Sequence, residues 1–208
     1  MTTDAPDETA TRPYNRRAAI IRMAPVLAVT FILAHFLRSA PAVIAPNLRA
    51  ELGLTPGQLS SLPAAIFLGA AVMQLPVGVL LDRFGPRRTM SGLFVLAALG
   101  AIIFSLAHSV PMLALALFLI GCGAAPVFMG VMVLLARWIP RDRLATGTAI
   151  SISVGGAGML LSASPFAAAV ELYGWRESLL AVGIFSLGVA LVVLLMVRDR
   201  PADAPAPN

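Results

Sequence analysis

Apolar and polar positions alternate in long blocks along this chain, without the short periods of a soluble domain. Six apolar stretches, residues 24–45, 58–81, 89–106, 112–135, 144–170 and 178–197, are separated by short polar connections. About 20 mostly apolar residues suffice for a helix to cross a bilayer. The pattern therefore predicts an all-α integral membrane protein with six transmembrane helices over residues 23–197. Residues 1–22 read as a polar tail, and residues 198–208 ("RDRPADAPAPN") as a Pro/Ala-rich end. Both tails are expected to be disordered. The N-terminal tail is too long and too acidic at its start for a signal peptide, so the first span is expected to be retained.

Composition sharpens this picture. The chain is 59% hydrophobic and 12% charged, with a mean hydropathy of +0.89. A soluble domain is roughly 45–50% apolar and about 25% charged. A net charge of +5 could belong to a nucleic-acid binder, but all 15 basic residues are arginines scattered between apolar runs rather than clustered on a polar domain. The absence of lysine, with much Ala, Gly and Pro, suggests a GC-rich bacterial genome. The single cysteine, Cys122, rules out an intrachain disulfide.

The arginines also predict topology. Twelve fall on one side of the spans, at positions 12, 16, 17, 22, 83, 87, 88, 137, 141, 143, 198 and 200; only Arg49 and Arg176 fall on the other. The positive-inside bias then places both termini in the cytoplasm. Arg38 alone lies within a span.

The loop after the second span has a more specific spacing. Gly78-x-Leu80-x-Asp82-Arg83-x-Gly85, followed by Arg87-Arg88, resembles the signature loop between helices 2 and 3 of the major facilitator superfamily. Leu81 replaces the small residue of that pattern and Pro86 its first basic residue. "ARWIPRDRLATGTAI" is similar to the family's connection between helices 4 and 5, and "YGWRESLLAVGIFSLG" to the start of its helix 6. The resemblance implies one half of the family fold: six helices arranged as two inverted three-helix repeats. It also implies that Gly78, Asp82, Arg83, Gly85, Arg87 and Arg88 form a conformational latch on the cytoplasmic side. Asp82 can sit opposite Arg87 or Arg88 across a tight turn at Gly85-Pro86.

Repeat symmetry should be visible between spans one and four and between spans two and five. Pro41 and Pro126 each follow small residues and predict interrupted helices lining a cavity. Gly69 precedes Pro76 by seven residues, as Gly158 precedes Pro165. Span five is rich in small residues, including Gly155 and Gly156, which suits a helix that packs closely or rocks against a partner. Spans three and six are bulkier and read as lipid-facing supports.

The candidate solute site centres on Arg38. An arginine at depth costs about 2.5–3.5 kcal/mol even on lenient insertion scales, and its planar fork suits a carboxylate or phosphate. The alternative is an arginine that snorkels to the outer interface. His35 lies on the same face and could relay protons or simply pack; Gln74 in span two is the other polar candidate. No metal or cofactor is expected. Protease, esterase and phosphate-loop motifs are absent, so an enzyme or ATP-driven pump is not expected. Leu117, where proton-coupled relatives often carry arginine, and Leu160-Leu161, in place of a Gly-Pro pair, argue against a proton-driven drug exporter.

These readings predict a bacterial inner-membrane protein for alternating-access transport of a small anionic solute, with the lipid bilayer and a second six-helix half as partners. A truncated, non-transporting fragment and a membrane scaffold or regulatory subunit are the alternatives.

Overall fold

The structure is a computed structural model that describes residues 16–200, with side chains from Ala19 onward. The expected disorder of residues 1–15 and 201–208 lies outside the described residues. The described chain is helical: α1 (Arg16–Val43), α2 (Ala45–Leu52), α3 (Pro56–Ser105), α4 (Val110–Trp138), α5 (Leu144–Ala163), α6 (Pro165–Tyr173) and α7 (Trp175–Met196). Five stretches are long and apolar enough to cross a membrane, with α5 and α6 joined in one of them. The first helix begins at Arg16, so part of the expected tail is helical.

At 50 residues, a straight α3 would be about 75 Å long, more than twice the roughly 30 Å hydrocarbon thickness. It is not straight. Gly85 has φ 78° and ψ 165°, a region essentially reserved for glycine. The Thr89 hydroxyl donates to the Leu80 carbonyl at 2.9 Å, although nine residues of straight helix would separate them by about 13 Å. Residues 56–84 and 86–105 therefore fold back, and both meet α4: Ile66 lies against Gly121 and Ala97 against Gly123. The turn expected at Gly85-Pro86 is where the chain reverses. Pro86 suits the first turn of the new helix, where no N–H partner is needed.

Between apolar helices in lipid, association rests on close van der Waals packing and not on hydrophobic drive. Glycines supply the proximity here. A Cβ on Gly69 would strike the Phe118 carbonyl, and one on Gly121 the Ile66 carbonyl. Gly158 stands in the same way against the Ile32 carbonyl of α1, and Gly183 of α7 against Ile102. Phe94, Phe104, Leu113 and Leu117 are fully buried around these contacts.

Several expectations are corrected. Pro126 lies inside the continuous helix α4, removing one backbone donor without ending it. Pro41 lies in the last turn of α1, which ends at Val43 before a turn at Ile44 and the start of α2. Pro165, expected with them to break or pack a helix, opens α6 after a break at Ser164. Gly155 packs against Phe31 and His35, but Gly156 meets nothing within 4 Å, because a helix presents only one of two adjacent residues to a given neighbour. The third span is packed against two neighbouring helices while Gly92 and Leu99 stay exposed. Residues 86–105 are largely buried, with Ser91 bonded to Ala190 of α7 and Gly100 against Ala116 of α4.

Two glycines separate the turn from ordinary helix. Gly85→Ala should lower the thermal unfolding midpoint in detergent, since the strained backbone costs about 1–3 kcal/mol. Gly92→Ala, in helix with open space around it, should raise stability by about 0.5–1 kcal/mol. Equal midpoints for the two variants would show that Gly85 does not need its conformation.

Candidate functional site

One stripe of α1 carries the sequence-predicted chemistry. Ala24, Ala28, Phe31, His35, Arg38 and Ala42 follow at alternating spacings of four and three, which places them along one helical face. Arg38 and Ala42 are exposed and His35 is half-buried. The Arg38 side chain therefore sits on the open side of the helix and His35 at the edge of its packed face. No acid among the described residues pairs with Arg38.

His35 is held in place. Its Nδ1 lies 3.0 Å from the Phe31 carbonyl; a carbonyl only accepts, so Nδ1 carries a proton in this contact. The Phe31 and His35 rings are 4.7 Å apart. Gly155 of α5 makes room for both, since a Cβ there would come within 2.7 Å of Phe31 and 2.8 Å of His35. One turn outward, the Ser39 and Ser162 hydroxyls meet at 2.7 Å, joining α1 to α5 beside the stripe. Ser39 and Ser162 also lie against their own helices' carbonyls, so the pair is satisfied without a ligand.

The stripe opens at each end. Toward the arginine-rich end, a cavity of about 420 Å³ lies between α1, α4 and α5, lined by Ala28, Phe31, Leu134, Trp138 and Val154 among others. Its one hydroxyl, Ser151, already donates to the Gly147 carbonyl at 2.9 Å. At the other end Ala42 borders a shallow depression with Arg49. Gln74 is exposed on α3, and no hydrogen bond joins it to Arg38 or His35.

The arginine-rich loop is assembled differently from the pairing its sequence suggests. Asp82 is exposed and makes no ion pair among the described residues. The carboxylate at the turn is Asp199, just beyond α7: it accepts from the Arg87 backbone N–H at 2.6 Å and fills the space beside Gly85. The Arg87 Nε–H donates to the Leu194 carbonyl, Arg137 to the Asp199 carbonyl, and the Trp138 indole to the Arg198 carbonyl at 3.1 Å. Asp199 thus caps, from a distant part of the chain, the exposed N–H groups that begin the helix at Pro86, where negative charge is favoured. Gly78, Arg83 and Arg88 are exposed. Asp199, the lone acid between Arg198 and Arg200, was the available sequence signal for this contact.

At the opposite end Arg176 ties three segments together. It donates to Glu51 of α2 at 2.9 Å, to the Ser105 carbonyl at 2.6 Å and to the Ala107 carbonyl at 2.8 Å. Trp175 also donates to Glu51, at 2.6 Å, and its ring lies 4.3 Å beneath the Arg176 guanidinium. These bonds, the Trp175 indole first and then Arg176, hold the Glu51 carboxyl below its ordinary range.

A bundle of long apolar helices packed through glycine is the architecture of a multi-pass membrane protein. The sequence pattern of the Major Facilitator Superfamily matches residues 27–208, and the chain belongs to that family. It is 27% identical over 176 residues to a probable sulfoacetate transporter of Cupriavidus necator, covering 85% of this chain and 41% of that protein. It is 26% identical over 193 residues to a quinolone resistance transporter of Acinetobacter baumannii, covering 88% of this chain and 44% of that one. The chain thus spans less than half the length of these relatives. The fold is similar to that of a bacterial homologue of the human lysosomal transporter Spinster in an inward-facing state, with a TM-score of 0.75, 20% identity and coverage of 95% of this chain and 46% of that one.

The Glu51 contacts carry a pH signature. A carboxyl held below its ordinary value near 4.5 contributes stability above that value and loses it as pH falls through the lower folded value. The thermal midpoint should therefore drop between pH 5 and pH 3. Glu51→Gln should lower it at pH 7 by roughly 2–4 °C, the equivalent of about 1 kcal/mol for a partly exposed pair, and should flatten the acid slope. An unchanged slope in Glu51→Gln would assign the acid sensitivity to other carboxyls.

Proposed function

We propose that this chain forms the N-terminal six-helix half of a bacterial plasma-membrane transporter that moves a small anionic solute by alternating access, together with a second six-helix half. The observation that carries this reading is Arg38: a guanidinium within a membrane-spanning helix, exposed and without an acidic partner among the described residues. A cation so placed costs about 2.5–3.5 kcal/mol in insertion, and a bound carboxylate, sulfonate or phosphate offsets that cost. The sulfoacetate named for one relative is such a solute.

The six-helix count rests on the fold-back of α3 at Gly85. Residues 56–84 and 86–105 then each cross the bilayer, at about 43 Å and 30 Å. Inverted three-helix repeats are supported by a matched pair of contacts: Gly69 meets Phe118 of α4 as Gly158 meets Ile32 of α1, each second helix packing on the first helix of the other repeat. The arginine distribution supports cytoplasmic termini. In this arrangement the loop from Gly78 to Arg88 faces the second half. Asp82, free of intramolecular ion pairs, is available to latch it, while Asp199 holds the turn behind it. Gln74 faces the same second half, and His35 lies one turn from Arg38 on the same face of α1.

Two measurements test this. In the complete transporter, Arg38→Lys should weaken anion affinity roughly tenfold, because a hydrogen bond to a charged group is worth about 1.5–3 kcal/mol and lysine lacks the bidentate fork. Equal uptake by wild type, Arg38→Lys and Arg38→Ala would remove Arg38 from the site. For topology, Glu171→Cys should react with an impermeant thiol reagent in intact cells and Arg141→Cys should not. Labelling of Arg141→Cys from outside would reverse the orientation.

A further inference from the structure

The exposed edge of α1 does not end at Arg38. Ala40, Ile44 and Leu48 follow one another at spacings of four and are all buried. The Ile44 N–H donates to the Ala40 carbonyl at 3.3 Å and the Leu48 N–H to the Ile44 carbonyl at 3.0 Å, so helical register passes through the turn between α1 and α2. The buried edge therefore runs from one helix into the next, and so does the edge opposite it. On that opposite edge stand Arg38, Ala42, Ala45 and Arg49, at spacings of four, three and four. The two arginines are about 16 Å apart along the axis, with two alanines between them. Ala42, Ala45 and Arg49 line one shallow depression, whose other walls, Pro46, Ala50 and Leu59, carry no charge.

Arg49 has no structural contact to explain it. Its side chain is exposed and forms no ion pair among the described residues. The acid two residues on, Glu51, is held by Trp175 and Arg176. Arg176 is itself committed to Glu51 and to the Ser105 and Ala107 carbonyls. Of the two arginines at this end of the bundle, Arg49 is the one whose charge is left uncompensated.

We propose that Arg49 is a guiding residue: it draws small soluble anions to the depression between α1 and α2 and passes them along Ala42 to Arg38. The role rests on the anion reading of Arg38 and adds the route by which the solute arrives. Along the axis Ala42 lies about 10 Å from Arg49 and about 6 Å from Arg38, close to the screening length of about 8 Å at physiological salt. An anion there is attracted by both cations, and the alanines and Pro46 offer it no hydrogen bond at which to stall. Steering depends on charge and not on a bidentate fork, so lysine should serve at position 49 although it fails at position 38.

Thiol chemistry at Ala42 tests this on the full 208-residue chain. Cys122→Ala removes the sole native thiol, and Ala42→Cys places one on the exposed edge. The chain, in phosphatidylcholine nanodiscs, is treated with a methanethiosulfonate bearing a sulfonate or, separately, a trimethylammonium group. Thiol acidity and access affect both reagents alike, so the ratio of their rates reads the local attraction for an anion. Arg49→Gln should lower that ratio about threefold at 0.01 M salt and less than twofold at 0.15 M, from screened Coulomb attraction over about 10 Å of water. Arg38→Gln, nearer to Ala42, should lower it at least as much. Arg49→Lys should leave it unchanged.

A ratio lowered by Arg38→Gln and untouched by Arg49→Gln would overturn the guiding role and leave the anion reading standing. A ratio lowered by Arg49→Gln and untouched by Arg38→Gln would break the route and count against the anion reading as well. Equal losses in Arg49→Lys and Arg49→Gln would show a local structural effect in place of steering and overturn the proposal. An Arg49→Gln effect present in dodecyl maltoside and absent in the nanodisc would give the charge to a lipid phosphate, and would overturn it too.

Discussion

Gly69 and Gly121 let two helix backbones touch, and the bundle depends on contacts of that kind. Water drives no association between apolar helices in lipid, so stability comes from dispersion at short range. A carbonyl of one helix lies where the partner's Cβ would otherwise be, at Phe118, Ile66 and Ile32. Such contacts are intolerant of larger residues at the glycine yet tolerant of what the surrounding apolar side chains are. That combination explains how relatives at 20–27% identity keep one fold.

The two ends of the bundle are closed by polar contacts of a different character. At the arginine-rich end, Asp199 caps a helix that begins more than a hundred residues earlier in the chain, which binds the exit of α7 to the turn at Gly85. At the other end, the three guanidinium nitrogens of Arg176 are spread over Glu51 and two carbonyls. Both devices satisfy backbone groups at helix termini, where an apolar sequence offers few partners. With Asp199 at the turn, Asp82 makes no ion pair among the described residues.

The α1 stripe has a third character. Its packing neighbours, Gly155, Gly158 and Ser162, are small, so α5 approaches without covering it. The result is a helix that is firmly seated along one edge and open along the next.

Membrane helices, their approximate ends, the reversal at Gly85-Pro86, the odd placement of Arg38 and the family resemblance were all legible in the sequence. Each of these rests on local physics: apolar run length against bilayer thickness, backbone conformations open only to glycine, and the cost of a charge in hydrocarbon. Other features were decided by tertiary structure. The effect of a proline on its helix depends on whether neighbouring turns and helices can accommodate it, so α4 runs on through Pro126 while α1 ends just after Pro41 and the chain breaks before Pro165. Gly155 and Gly156 are chemically identical and adjacent, but only the rotation of α5 against α1 makes the first a contact and leaves the second open. Asp82 and Asp199 both lie near arginines in sequence; the meeting of the end of α7 with the turn gives the role to Asp199, because pairing across a hundred residues is a property of the packed bundle and not of any local pattern.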